Sequence, residues 1–174
     1  ARDDEAGRRG AAFYRDLLRE VDDPSRSDRR VDRQILSFDP ARSSFVELNG
    51  DLATATSVAV LVPGTNTTLE GSAANTGTAR RFVSATRGEV AAITYLGGPF
   101  PAGDSMAIAL ARAADPRFAL DMAPRLVSFS ADVDHTVDAT GRDIPVTYIG
   151  HSYGGSILGT AEALGMTADR TLYL

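Results

Sequence analysis

Short apolar runs separated by polar turns dominate the chain from residue 36 onward. Continuous runs at 58–62, 90–95 and 146–149 are typical of strands buried on both faces of a sheet. A further strand is predicted at 45–48, a fourth buried strand at 171–174, and helices at 71–86, 105–114, 119–134 and 152–164. Because strands and helices alternate, the pattern predicts an α/β fold with a mainly parallel sheet and helices on both faces.

The first 33 residues differ from the rest because arginines and acids crowd them. Apolar residues recur among these charges at helical spacing, which predicts an amphipathic helix over 5–21 that ends before Pro24. A second short helix is predicted near 28–35. Residues 1–35 are therefore interpreted as a helical extension whose charged face is solvated, and 36–174 as the α/β portion.

Composition removes several classes of function. All 18 basic residues are arginine, so Schiff-base and phosphate-loop lysine chemistry is excluded. The absence of cysteine excludes disulfides, iron–sulfur clusters and thiol nucleophiles, and two histidines disfavour a structural zinc site. A net charge of −5 argues against nucleic acid as a partner. No apolar run reaches the length of about 18 residues that a membrane span needs. We expect a soluble protein, either cytoplasmic or exported, with no metal or organic cofactor.

The segment that carries chemistry is VTYIGHSYGGSILGTAEAL, residues 146–164. It places G-x-S-x-G between a predicted strand and a predicted helix, as in a nucleophile elbow. Such a turn exposes the serine hydroxyl, here Ser152, and needs small residues two positions either side, here Gly150 and Gly154. His151 completes the turn, and the helix start behind it favours developing negative charge. The alternative is an ordinary glycine-rich turn with Ser152 as a helix cap.

A second candidate is the polar loop that follows the 58–62 strand. Enzymes with a nucleophile elbow take one oxyanion donor from the residue after the nucleophile, here the Tyr153 N–H. The other comes from a loop after an earlier strand, most plausibly the Thr65 N–H, with Gly64 allowing close backbone approach. A plain polar turn is the alternative. The glycine- and proline-rich loop at 97–103 is either a pocket wall or a simple connection.

The nucleophile-elbow segment and the loop after the 58–62 strand resemble segments of a known protein family. VLVPGTNTTLEG, AITYLGGPFP and VTYIGHSYGGSILGTAEA occur in the order seen in an actinobacterial α/β-hydrolase family. Its members are described as domains of unknown function or as lipase- and esterase-like serine hydrolases. QILSFDPARSSFVELNGDL and APRLVSFSADVD are similar to that family as well, so the resemblance spans about 34–174. It implies the α/β-hydrolase fold and a Ser-His-Asp triad, but no particular substrate.

The triad partners are not evident in the chain. On this fold the acid and then the histidine follow the serine, and no histidine follows Ser152. His151 is expected to point away from the attacked carbonyl, and His135 to lie in a connection at the wrong edge of the sheet. Asp169 precedes the last predicted strand, so it is also expected at the wrong edge of the sheet. Glu162 lies far along the last helix from Ser152.

The 171–174 strand has no predicted neighbour after it, so its edge would be open. The first interpretation is a fold that is incomplete at its C-terminus, with the acid and histidine beyond residue 174. The second is that another polypeptide supplies the missing strands. The third is an inert interaction module. The open edge also predicts self-association of the isolated chain.

The sequence thus favours a serine hydrolase in which Ser152 attacks a small-molecule or lipid ester, and less readily an amide or thioester. The Tyr153 and Thr65 N–H groups would hold the oxyanion. The alternative is an inert module in which the elbow is a relic. Dinucleotide binding is excluded because no G-x-G-x-x-G opens a helix after the first strand.

Overall fold

A central sheet of six strands organises the computed structural model, which describes residues 2–26 and 28–174. The helices are α1 (Arg2–Leu17), α2 (Ala73–Ala85), α3 (Met106–Ala113), α4 (Arg117–Asp138) and α5 (Tyr153–Ala163), with a 3-10 turn at Pro40–Arg42. The strands are β1 (Val21–Asp22), β2 (Arg30–Val31), β3 (Gln34–Asp39), β4 (Ser44–Asn49), β5 (Ser57–Val62), β6 (Val90–Gly97), β7 (Val146–Gly150) and β8 (Arg170–Tyr173).

The strand order is β3–β4–β6–β5–β7–β8. Strand β4 runs antiparallel to both neighbours, whereas β6, β5, β7 and β8 are parallel. The chain therefore leaves β5 for β6 on one side and later returns to β7 on the other side. That reversal creates a crevice at the carboxyl end of β5, which is where open α/β sheets bind ligands.

Helices cover both faces of the sheet, as the continuous apolar runs predict. Leu61 packs with Ala79 and Val83 of α2, whereas its neighbour Val60 belongs to a core cluster that includes Ile157 of α5. Because successive side chains of a strand point to opposite faces, α2 and α5 lie on opposite sides of β5. Helix α4 packs against α5. The predicted α/β fold is confirmed.

The helix predicted near 28–35 is wrong, and the one predicted over 5–21 ends earlier, at Leu17. Residues 28–35 contain β2 and the start of β3 instead of a helix. Val21 of β1 pairs with Val31 of β2 in a small hairpin. The physical reason is long-range pairing: β3 joins the edge of the sheet beside β4, and Arg33 meets the buried Glu47. These contacts outweigh a local pattern that also fits a helix.

Strand β8 is present as predicted but is not buried. Among the described residues it pairs with β7 alone, and Leu172 and Tyr173 keep about half of their surface exposed, at 45% and 49%. A strand with one neighbour is an edge strand, so the apolar composition of 171–174 does not by itself show burial on both faces.

Candidate active site

The turn between β7 and α5 has the backbone of a nucleophile elbow. Ser152, which lies between the strand and Tyr153 at the start of the helix, has φ 54° and ψ −122°. Non-glycine residues rarely adopt a positive φ, and such strain is concentrated at functional sites. The side chain of Ser152 is exposed at the carboxyl edge of the sheet.

The glycines of the turn are there because neighbouring backbone leaves no space for a side chain. A Cβ atom on Gly150 would lie 2.7 Å from the Cα of Gly155. A Cβ atom on Gly154 would overlap the carbonyl oxygen of Val62 and lie 2.5 Å from that of Pro63. The elbow is therefore packed directly against the end of β5.

The loop after β5 reaches the serine itself. A Cβ atom on Gly64 would lie 2.7 Å from the Cβ and 3.2 Å from the Oγ of Ser152. Only a residue without a side chain allows this approach. Thr65 comes next, half-buried beside the elbow.

Two backbone N–H groups near the serine remain free to bind an anion. Across the described ranges, neither the Thr65 N–H nor the Tyr153 N–H donates a hydrogen bond. The first N–H groups of a helix have no partner within that helix, which accounts for Tyr153. Free N–H groups at such a place can hold the oxyanion of a tetrahedral intermediate. Their catalytic role stays a prediction.

The side chain of Tyr153 has a structural role at the start of α4. It is buried, its hydroxyl donates to the carbonyl oxygen of Asp115, and it accepts a hydrogen bond from the Ala119 N–H, each at 3.0 Å. The residue that precedes the first turn of α4 is Pro116, which offers no side-chain cap. The Tyr153 phenol supplies one of the missing acceptors there, and its burial raises its pKa.

Neither histidine side chain forms a hydrogen bond with Ser152 in the part of the chain that the structure describes. His151 is exposed and its side chain forms no hydrogen bond. His135 lies in the last turn of α4, not in the connection where the sequence placed it. That turn is at the amino end of the parallel strands, because the adjacent Asp134 accepts a hydrogen bond from Thr167, just before β8.

The two candidate acids of the C-terminal segment are also engaged elsewhere. Asp169 accepts a hydrogen bond of 2.7 Å from the Val146 N–H, which fixes it at the amino end of β7. Glu162 accepts a hydrogen bond from the Tyr173 hydroxyl on the outer surface of α5. The described residues thus bring together Ser152, Gly64, Thr65 and Tyr153 without a histidine–carboxylate pair.

Sequence reasoning missed how the loop after β5 is held. The Asn66 N–H donates to the carbonyl oxygen of Pro101 at 2.8 Å, and its Oδ1 accepts from the Gly103 N–H at 3.0 Å. The 97–103 loop is therefore a support of the loop after β5. No local signal in the sequence identifies this contact, because the two loops follow different strands.

Two aromatic residues of β6 and the loop after it are buried. Phe100 is buried in the core, and Tyr95 lines a cavity of about 530 Å³ between α4 and the β3–β4–β6 part of the sheet. That cavity is mainly apolar, with Arg125 at its rim, and its lining includes neither Ser152 nor Thr65. Burial raises the pKa of the Tyr95 phenol.

Residues 2–26 and 28–174, which the structure describes, hold neither a metal-binding cluster nor a helix able to span a membrane. Within these ranges, no three histidine or acidic side chains lie close enough together to hold a metal ion. In the same ranges, no helix combines the length and apolar character that crossing a membrane requires.

Comparison with known proteins agrees with this architecture. The family model described as "Alpha/beta hydrolase" matches residues 39–171, which include β4 to β7, the elbow and the first two residues of β8. No curated protein sequence matches the chain significantly. The matched region extends over more than half of the chain, from the 3-10 turn to β8, so the chain belongs to the alpha/beta hydrolase family.

Proposed function

We propose that the protein is a serine hydrolase that cleaves a carboxylic ester, with Ser152 as the nucleophile. The observation that carries the proposal is the strained backbone of Ser152, at φ 54°, in an exposed turn that three glycines allow. Strain of this kind persists only where the surrounding structure enforces it, and it is typical of reactive residues. Membership of the alpha/beta hydrolase family supports hydrolysis as the reaction class.

In the proposed reaction, the Ser152 Oγ attacks the ester carbonyl carbon and its proton passes to a histidine base. The carbonyl oxygen becomes an oxyanion held by the Thr65 and Tyr153 N–H groups. Collapse releases the alcohol, which takes the proton from the histidine, and leaves an acyl group on Ser152. Water then attacks the acyl-enzyme by the same route and releases the acid. Each oxyanion donor is expected to accelerate the reaction by about 100- to 1000-fold.

The base is a histidine other than His135 and His151, positioned by a carboxylate other than Asp169 and Glu162. Those four side chains either are exposed or have structural partners away from Ser152. A serine hydroxyl without a base is a weak nucleophile, so this proposal predicts low reactivity for the isolated 174-residue chain.

Fluorophosphonate labelling tests the proposal, because these reagents phosphonylate activated serines. The natural polypeptide that contains this sequence is compared with the 174-residue chain and with two variants of the natural polypeptide. Ser152→Ala removes the proposed nucleophile, and Ser156→Ala is the matched control, since Ser156 is exposed one turn later on α5. Labelling that is lost in Ser152→Ala and kept in Ser156→Ala supports the proposal. A folded natural polypeptide that is not labelled overturns it and favours the inert module.

A further inference from the structure

We propose that Asn66 and Thr67 are positioning residues that orient the Thr65 N–H toward the oxyanion. This inference rests on the proposed function, since it concerns the second donor of that oxyanion hole. Neither side chain touches the reacting atoms. Thr67 acts on the peptide group between Gly64 and Thr65, which carries the donor, and Asn66 acts on the loop that follows this peptide group.

Thr67 holds that peptide group directly. Its Oγ1 donates a hydrogen bond of 2.7 Å to the carbonyl oxygen of Gly64. The Gly64 carbonyl and the Thr65 N–H belong to one planar trans peptide, so they point in opposite directions. Fixing the carbonyl on the Thr67 side therefore turns the N–H away from Thr67. A hydroxyl two residues after the donor thus sets the donor's direction.

Asn66 fixes the same loop from its other end. Its backbone N–H and its side-chain Oδ1 form two hydrogen bonds to the 97–103 loop, with Pro101 and Gly103 as partners. Its φ of 64° lies in the left-handed region, where asparagine is tolerated better than most side chains. Because Asn66 is exposed, core packing does not explain an amide at this position.

Thr65 consequently lies between two restrained neighbours. On one side Gly64 is held against Ser152, and on the other Asn66 is held against the 97–103 loop. A donor restrained at both ends needs no reorganisation when the oxyanion forms, which is the condition for a large electrostatic contribution. Loss of either restraint lets the peptide group rotate and the donor move.

The experiment measures the saturation kinetics of fluorophosphonate labelling in the natural polypeptide that contains this sequence. Thr67→Val removes the hydroxyl and keeps the shape, and Thr67→Ser restores the hydroxyl. Asn66→Gly keeps the left-handed backbone but removes the Oδ1 acceptor, and Asn66→Asp restores an acceptor. Thr68→Val is the matched control, because the Thr68 Oγ1 bonds to the Gly71 N–H and not to Gly64.

We expect Thr67→Val and Asn66→Gly to lower the limiting labelling rate about 10- to 100-fold while reagent affinity changes little. Thr67→Ser and Asn66→Asp should recover most of the rate. Thr68→Val should label at the wild-type rate even if its melting temperature falls as much as that of Thr67→Val.

Wild-type labelling rates in folded Thr67→Val and Asn66→Gly would overturn the inference and leave the proposed function standing. Equal slowing in Thr67→Val and Thr68→Val would also overturn it, because a general loss of loop stability would then explain both. Wild-type protein that is not labelled at Ser152 would refute the proposed function, and the positioning role with it.

Discussion

The buried ion pair between Arg33 and Glu47 gives a strong test of how the N-terminal segment is attached. Glu47 lies on β4 and is only 1% exposed, and the Arg33 side chain is 6% exposed. Two hydrogen bonds of 2.7 Å join the Arg33 Nε and Nη2 to the two carboxylate oxygens. The Thr76 hydroxyl donates to Oε2 at 2.9 Å. The hydrogen bond to Glu47 raises the pKa of Arg33, so the guanidinium stays charged.

The perturbation is Glu47→Gln, which keeps the side-chain shape but leaves the Arg33 charge without its buried counterion. Removing one partner of a buried pair typically costs about 3 to 5 kcal/mol. Arg33 also binds the exposed Asp16 through Nη1 at 2.9 Å, so we expect the lower end, about 3 kcal/mol. For a urea m-value of about 2 kcal/mol/M, the unfolding midpoint should fall by about 1.5 M.

The assay is equilibrium urea unfolding followed by circular dichroism. Asp22→Asn is the control, because the Asp22–Arg30 pair lies in the same segment but is exposed at 75% and 55%. We expect the control to change stability by less than about 1 kcal/mol. The double variant Arg33→Met with Glu47→Leu should recover most of the loss, since an apolar pair replaces the ionic one. A midpoint for Glu47→Gln that equals that of Asp22→Asn would refute the reasoning.

A large effect would also bear on the proposed division at residue 35. Arg33 belongs to the segment interpreted as an extension, whereas Glu47 belongs to the α/β portion. If the pair contributes about 3 kcal/mol, the two segments unfold as one cooperative unit. The boundary would then separate two sequence patterns but not two folding units.

Four further predictions concern tyrosines and the elbow. Tyr153→Phe should lower the unfolding free energy by about 1 to 3 kcal/mol in urea titrations, because backbone groups at the start of α4 lose their partner. Tyr148→Phe should be neutral or stabilising in the same assay, since the buried Tyr148 hydroxyl has no partner among the described residues. Burial raises the pKa of both Tyr95 and Tyr148. The unfolded chain therefore loses these phenolic protons first, so the free energy of unfolding should fall as the pH rises above the unfolded-state value near 10, with a smaller fall in Tyr148→Phe. Gly154→Ala should abolish labelling of Ser152 and lower the melting temperature, because its Cβ overlaps the carbonyl of Val62; an active, stable variant would contradict this.

The central strands are predictable because their apolar runs are continuous. The strands predicted at 58–62, 90–95 and 146–149 are all present. A strand buried on both faces needs apolar residues at nearly every position, and such a continuous run is easy to recognise. The helix predicted near 28–35 was wrong because the local spacing of apolar residues there fits a helix as well as a strand. The choice is made by partners distant in sequence, such as Glu47 for Arg33.

The elbow is predictable for a related reason. A short motif identifies the turn because a side chain at Gly150 would meet Gly154 and Gly155 of the same turn. The contact that requires a glycine at 154 is made with Val62 and Pro63, which are distant in sequence. The loop after β5 is held by the hydrogen bond from the Gly103 N–H to Asn66, and Gly103 follows β6 whereas Asn66 follows β5. Strand order brings those two loops together, and one sequence does not encode strand order in any local pattern.

The close contact between Gly64 and Ser152 has a consequence for how the protein folds. Val62 and Gly150 are register partners, although three helices and a strand separate them along the chain. Pairing of such distant segments is slow because a long loop must close before the contacts form. The strain at Ser152 can be held only once β5 and β7 are paired. We therefore expect substitutions at 62–64 and 150–154 to accelerate unfolding more than they slow folding.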